Sequence, residues 1–355
     1  MKLTEEQQNA VNKAVEAISE GTLFRIGGYA GTGKTTIARY IVEAVPNAMV
    51  CAFTGKAARR LQEKGLPMAQ TLHRTIYDFD PQRQKFDLKN EVYGNYFLID
   101  EGSMISHDLW RDIRSFDKPI VILGDLGQLE PIGRDPELMR QPDVVLEQVH
   151  RQEDGSGIVD FANDIRLEQY VRGMEYRDVE IHYGSKPTIE EALKADVVIC
   201  GYNHTRKSIN VTMRKALERK GVLQKSDKVI CLKNNIALGV FNGQIFDVSL
   251  VKQENPTHIL AVCSDNGTEQ DLIFFKIGFG KAKIKNKDLA GIGKLNEAVI
   301  ADYGYAITCH KSQGSEWDSV IVIDQQCPYW DAVRWRYTAI TRAAKKLKYY
   351  FSGKR

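Results

Sequence analysis

The run GYAGTGKTT, Gly28 to Thr36, places Gly28, Gly33, Lys34 and Thr35 at the spacing G-x-x-x-x-G-K-[ST] of a loop that cradles phosphates. Gly28, Gly31 and Gly33 allow backbone angles closed to other residues and let the amides of Thr32 and its neighbours approach an anion without an intervening Cβ. Lys34 then reaches the β- and γ-phosphates, Thr35 offers a hydroxyl to magnesium, and Thr36 continues a helix whose positive end faces the anion. A second group of chemically capable residues lies at the end of the apolar run NYFLID, where Asp100 and Glu101 are adjacent. A strand-end Asp suits a magnesium ion, and the Glu beside it can orient or deprotonate an attacking water. A third run, PIVILGD, is followed by Gln128, which reads either as a sensor of the γ-phosphate and attacking water or as a turn residue.

These residues need strands that end where they stand and helices that begin there. LFRIGG leads into the loop as a strand and KTTIARYIVEAV leaves it as a helix, the context that the phosphate-loop spacing requires. Before it, LTEEQQNAVNKAVEAIS carries apolar residues at helical spacing behind a Thr4 to Gln7 capping box. Strands at 48–53, 95–100 and 119–125 alternate with helices near 55–64 and 106–116, which predicts a parallel sheet covered on both faces. The polar stretch Asp78 to Tyr93 interrupts this rhythm and is expected to form a protruding hairpin. A second alternating series follows, with strands DVVICGYN, DKVICL, YGYAITCH and SVIVID, and is split by a segment from Gln244 to about Ala298 that reads as a small all-β insert.

The 355 residues are enough for two domains, and their net charge of +3 permits a nucleic-acid partner without requiring one. The six cysteines contain no C-x-x-C pair, so neither a zinc site nor a disulfide framework is supported. No apolar run reaches membrane-spanning length, and the polar start MKLTEEQQNA has no signal-peptide core, so a soluble, cytoplasmic protein without a membrane partner is expected.

Seven blocks occur in a fixed order: the phosphate loop, FTGKAARRL, LIDEGSM, LGDLGQLEPI, VHRQ, YAITCHKSQGSEWD and YTAITRA. In that order the chain resembles superfamily 1 helicases, most closely the RecD-like and Dda-like branch, superfamily 1B. The resemblance covers nearly the whole sequence. It implies an α/β fold of two RecA-like P-loop NTPase domains: the first over 1–152 with a pin hairpin at 78–93, the second over 153–243 and 299–355 with an SH3-like β insert at 244–298. Gln7 matches a glutamine that contacts adenine, although it also reads as the N3 partner of the helix cap. Arg151 and Arg342 match two arginine fingers that meet the charge developing on the γ-phosphate. Gly314 and Glu316 fall in the nucleotide-binding part of the YAITCHKSQGSEWD block, Glu316 at the ribose. His150 stands where many relatives carry a base-stacking tyrosine.

The resemblance further assigns Phe53, Thr54 and Lys56, with His73, to a strand-binding surface in the first domain, and Thr308, His310 and Lys311 to one in the second. The residue types suit this, since hydroxyls and lysines hold phosphates and an aromatic ring stacks on any base. Phe53 reads equally well as a core residue, His73 as a structural histidine, and Phe86, placed near the tip of the pin, as a ring that packs back on its own domain. The basic run Lys281 to Lys287 either faces DNA or forms a solvated face.

The implied activity is ATP hydrolysis, with Mg2+ as cofactor, coupled to 5′ to 3′ movement on single-stranded DNA and to duplex unwinding. The expected partners are single-stranded DNA, its junctions with duplex, and replication or recombination proteins; the expected state is a monomer. Competing readings are an ATP-dependent single-strand clamp or recruitment factor, a P-loop kinase, and an RNA track in place of DNA.

Overall fold

The computed structural model describes residues 3–352 except 81–84, 131–136, 149–156, 234, 236, 237, 239, 241, 266 and 282–296. His150 and Arg151 lie outside the described residues, as do the middle of the hairpin and all of the basic run beyond Lys281. The chain forms two compact units. One comprises Met1–Asp78, Phe86–Tyr170 and Val333–Thr341; the other comprises Phe79–Lys85, Val171–Ala332 and Arg342–Arg355.

The elements of the first stretch are α1 (Glu5–Ser19), β1 (Leu23–Gly28), α2 (Lys34–Ala44), β2 (Ala48–Ala52), α3 (Gly55–Glu63), β3 (Gln70–Thr71), α4 (Leu72–Ile76), β4 (Tyr77–Asp80), β5 (Lys85–Leu88), β6 (Tyr96–Ile99), α5 (His107–Arg114), β7 (Ile120–Asp125), β8 (Val144–Leu146) and α6 (Gly157–Arg166). Six of the strands make one sheet in the order β3-β2-β6-β7-β1-β8, parallel at every pairing given for it, while β4 and β5 form a separate two-stranded sheet. Alternate residues of each strand serve opposite faces. Tyr96, Leu98, Val121 and Leu123 join α1, α2 and α3 in one core. Phe97, Ile99, Ile120 and Ile122 join α5 in the other. Continuous apolar strands therefore mark a sheet covered on both sides. The capping box expected at the start of α1 forms between Thr4 and Gln7.

The second stretch contains β9 (Val179–Tyr183), α7 (Ile189–Lys194), β10 (Val197–Cys200), α8 (Asn203–Ala216), β11 (Lys228–Cys231), β12 (Ile245–Glu254), β13 (His258–Asp265), β14 (Thr268–Phe275), β15 (Val299–Tyr303), β16 (Ala306–Thr308), α9 (Cys309–Ser312), β17 (Trp317–Ile323), α10 (Ala332–Ile340) and β18 (Ala343–Phe351). A parallel sheet runs β16-β10-β17-β18-β9, and β11 to β15 close a barrel. The barrel corrects one expectation. DKVICL does not continue the α/β series: β11 pairs antiparallel with β12 and β15 and so belongs to the barrel, whose last strand runs past Ala298 to Tyr303. The reason is edge closure, since the strands of Gln244 to Phe275 alone would leave two open edges, which β11 and β15 remove. Phe246, Val248, Ile259, Ala261, Cys263 and Leu272 fill the interior.

Candidate nucleotide site and nucleic-acid interface

In an open parallel sheet the carboxyl ends of the strands are where chemistry gathers. In the first unit, register sets Gly28 at the end of β1 beside Asp125 at the end of β7, and Ile99 beside Ile122 carries β6 directly into Asp100 and Glu101. Three neighbouring strands thus deliver the phosphate loop, the Asp-Glu pair and Asp125 to one rim. The loop's turn requires glycine, with φ of 82° at Gly31 and 81° at Gly33, the residue that opens α2. Thr32 is buried; its hydroxyl donates to the Tyr29 carbonyl at 2.9 Å, and a Cβ on Gly28 would stand 2.7 Å from that same hydroxyl oxygen. Thr35 and Thr36 occupy the first turn of α2.

Lys34 Nζ donates to the Gly28 and Tyr29 carbonyls at 3.0 and 2.7 Å and lies 3.8 Å from Asp125 Oδ2. Burial pushes the Asp100 carboxyl up, while the Lys34 charge opposes the rise, as does the Glu101 N–H, which donates to Asp100 Oδ1 at 3.0 Å. Glu101 itself is held in the left-handed region at φ 61°, a strained backbone of the kind that clusters at functional sites. Gln7 serves as the cap partner and also reaches the phosphate loop. Its Oε1 accepts from Thr4 N at 3.2 Å, and its Nε2 donates to the Thr32 carbonyl of the phosphate loop at 3.2 Å. Gln128 Nε2 donates to Asp125 Oδ2 at 3.3 Å.

Two residues that reasoning from the sequence passed over hold this cluster together. Asp125 is the hub, also accepting from Gly127 N at 3.0 Å. Tyr337, from α10, accepts from Ala30 N at 2.6 Å and donates to Asp125 Oδ2 at 3.1 Å. Both sit inside quoted blocks, LGDLGQ and YTAITRA, but nothing in their spacing announces a contact between residues 212 apart.

Of the first-unit strand-binding candidates, Phe53, Thr54 and Lys56 follow β2, and His73 lies in α4. Thr54 caps α3, its hydroxyl accepting from Ala57 N at 3.1 Å. Lys56 lies in the first turn of α3. Phe53 meets His73 edge to face at 6.2 Å, His73 meets Tyr77 at 5.7 Å, and Tyr77 meets Phe86 at 5.8 Å. Burial holds the His73 imidazole below its ordinary pKa, favouring the neutral ring. Phe86 is the second residue of β5, and its ring packs toward Tyr77 of β4.

In the second unit, Cys200 of β10 registers with Thr308 of β16, at the carboxyl end of the sheet. Thr308 is buried there, and His310 and Lys311 follow in α9. His310 meets Trp330 at 6.2 Å, and Lys311 Nζ donates to Asn242 Oδ1 at 2.8 Å. Arg342 lies at the opposite end. It precedes β18, its Nη1 donates to the Ser315 carbonyl at 3.1 Å, and its own carbonyl accepts from Trp317 N at 2.9 Å. Gly314, at φ 71°, and Glu316 flank Ser315. The block from Thr308 to Glu316 therefore runs from one end of this sheet to the other, with the strand-binding candidates at its start and Arg342 beside its end. No group of three His, Cys, Asp or Glu able to hold a metal occurs among the described residues, and no described helix is long and apolar enough to cross a membrane.

Residues 2–180 match the AAA domain family, and residues 303–348 match the UvrD-like helicase C-terminal domain. The chain is 25% identical to the conjugal transfer protein TraA of Agrobacterium fabrum over 99% of its own length and 32% of that protein. It is 24% identical to the ATP-dependent RecD2 DNA helicase of Deinococcus radiodurans over 97% of its length and 48% of that protein. It thus spans between about a third and a half of these relatives. A solved structure of Bacteroides Pif1 bound to single-stranded DNA shares the fold, with a TM-score of 0.57 at 20% identity, covering 98% of this chain and 92% of that one. Both parallel-sheet units are RecA-like. By its phosphate loop, its ordered blocks and the match over residues 2–180, the chain belongs to the AAA domain family, as a RecD-like and Dda-like member of helicase superfamily 1B.

Proposed function

We propose that the chain is an ATP-driven motor that moves 5′ to 3′ on single-stranded DNA and unwinds duplex ahead of it. The observation that carries this is a chain with two RecA-like sheets of which the first bears a phosphate loop, while in the second β10 passes through Gly201 and Tyr202 into α8 without one. A nucleotide held by the first sheet and released by hydrolysis then alternates the grip of the two strand-binding surfaces. In this reading Gly28 to Thr36 hold the phosphates, Gln7 faces the base, Glu101 activates water, and Gln128 orients the water or the γ-phosphate. Arg151 and Arg342 supply the positive charge that the transition state requires, and His150 and Glu316 meet the base and ribose.

The donors Thr35 and Asp100 are both oxygen, which fits magnesium: it takes one or two protein oxygens together with phosphates and water. The ion would neutralise charge on the phosphates. This chain's own residues position the nucleotide and move the proton from water to Glu101. Phe53, Thr54, Lys56 and His73, with Thr308, His310 and Lys311, contact the strand, and Phe86 lies on the hairpin proposed to part the duplex. Single strands and their junctions with duplex are the proposed partners, and the similarity to RecD2, an ATP-dependent DNA helicase, supports DNA as the track.

ATP hydrolysis measured with and without single-stranded DNA, at two salt concentrations, for the wild type and Lys34→Ala, tests the reading. The expected result is DNA-stimulated turnover that weakens with salt through counterion release and disappears in Lys34→Ala. Strand displacement on 5′-tailed, 3′-tailed and blunt duplexes reads direction, with only the 5′-tailed substrate unwound. DNA-stimulated turnover with no displacement from any substrate would instead establish a clamp, and turnover indifferent to DNA and RNA would remove the translocase.

A further inference from the structure

We infer that Tyr337 is a positioning residue for ATP turnover, its hydroxyl tying the phosphate loop to the carboxylate that orients Gln128. This rests on the reading of Gln128 as the residue that orients water or γ-phosphate. The geometry is a continuous chain: Ala30 N–H donates to Tyr337 Oη at 2.6 Å, Tyr337 donates to Asp125 Oδ2 at 3.1 Å, and Gln128 Nε2 donates to that same oxygen at 3.3 Å. The pattern needs a hydroxyl, because only a group that both accepts and donates can bridge an N–H and a carboxylate. Burial, reinforced by the Asp125 charge, raises the phenol well above its ordinary pKa, so the proton needed for donation is retained at neutral pH.

The ring is placed as firmly as the hydroxyl. Tyr337 is fully buried, and its face lies so close over Gly127 that a Cβ there would stand 2.7 Å from the ring. One turn of α10 grips the segment after β7 at successive residues: the Thr338 hydroxyl accepts from Leu129 N at 2.9 Å, and Arg334 Nη1 reaches Glu130 Oε1 at 3.3 Å. The segment that carries Gln128 is therefore set by α10. Without the Tyr337 hydroxyl, Asp125 keeps Gly127 N, Gln128 and the Lys34 ammonium at 3.8 Å as partners but loses its hydrogen-bonded link to the Ala30 amide of the loop. Gln128 then rests on an oxygen that has lost its phenol donor and is held less firmly. An interaction of this kind governs the chemical step more than nucleotide capture, so its loss lowers kcat and spares KM.

Steady-state ATP hydrolysis, with and without a single-stranded oligonucleotide, and thermal melting of wild type, Tyr337→Phe and Tyr337→Ala test this. The expected result is that both variants lose kcat about tenfold or more while KM for ATP stays within about threefold, with Tyr337→Phe melting close to the wild type. In an Asp125→Asn background, Tyr337→Phe should lower kcat by less than about twofold further, because the two act as one unit. The inference is overturned if Tyr337→Phe keeps kcat within about twofold of wild type, which would make the ring and not the hydroxyl the useful part, or if KM rises tenfold at unchanged kcat. Wild-type turnover that ignores DNA would remove the translocase reading alone, since the comparison of kcat values remains readable without it.

Discussion

Lys311 is a lysine whose charge is held at a disadvantage. Burial, and then the nearby Arg206, pull its ammonium down to about 8, although Asp302 opposes the shift. A DNA phosphate placed against Nζ would favour the charged form, so the proton helps binding and its loss weakens it. The sign follows: the ammonium is present below about pH 8 and lost above it. Single-strand affinity at constant salt is expected to fall by about three- to tenfold between pH 7 and pH 9, the worth of one charge-assisted phosphate contact. Lys311→Arg, charged throughout, should flatten that slope, as fluorescence anisotropy of a labelled oligonucleotide would read; a slope unchanged in Lys311→Arg would remove Lys311 from the interface. Lysine identity was legible in the sequence, because a block names its residues. Its burial was not, since Asn242 and Arg206, which surround it, come from distant segments. The same limit hid Tyr337, whereas the phosphate loop was legible because its glycines, lysine and flanking strand and helix are all local.

Among the elements, the hairpin shows how a sequence can mark a departure without giving its anchorage. The polar stretch after Tyr77 predicted a protrusion, and β4 and β5 form their own two-stranded sheet. What fixes its base is the ladder Phe53, His73, Tyr77, Phe86, together with the Tyr77 hydroxyl, which donates to Asp112 Oδ2 at 2.6 Å. Burial and the Asp112 charge hold the Tyr77 phenol far above its ordinary pKa, so it remains a donor at any working pH. Tyr77→Phe keeps the ring and removes one hydrogen bond to a carboxylate, and should cost about 1–2 kcal/mol in denaturant unfolding. Tyr77→Ala breaks the ladder in the middle. If the hairpin parts the duplex, Tyr77→Ala should slow strand displacement at least about fivefold while DNA-stimulated hydrolysis stays within about twofold, because coupling and not chemistry is lost. Equal losses in both assays would assign the ladder to the fold alone.

At the scale of the whole molecule, charge is distributed between solvent and interior in a way that composition cannot disclose. Most ion pairs among the described residues lie at the surface, such as Lys194 with Glu190, and such pairs contribute about 0–1 kcal/mol. The second unit buries two others. Arg206 Nη1 meets Asp302 Oδ2 at 2.6 Å, both groups no more than 2% exposed. Arg214 meets Asp227 through two bonds of 3.0 Å, with the Tyr305 hydroxyl donating to Asp227 Oδ1 at 2.7 Å. These pairs tie α8 to the barrel: Asp302 lies in β15, and Asp227 immediately precedes β11. That explains why β11, read from its apolar run as a sheet strand, is held in the barrel instead. Asp302 further accepts from Gly280 N and Tyr303 N on Oδ1, each at 2.8 Å, so both of its oxygens are engaged. Removing one partner of such a pair leaves the other charge buried and uncompensated, at about 3–5 kcal/mol. Asp227→Ala should therefore raise amide hydrogen exchange through α8, β11 and β15 by about a hundredfold or more, a change matching that energy. Lys194→Ala serves as the surface control and should leave those amides unchanged. If Asp227→Ala exchanges like the control, Arg214 has found water in place of its carboxylate, and the joint between helix and barrel rests on apolar packing alone.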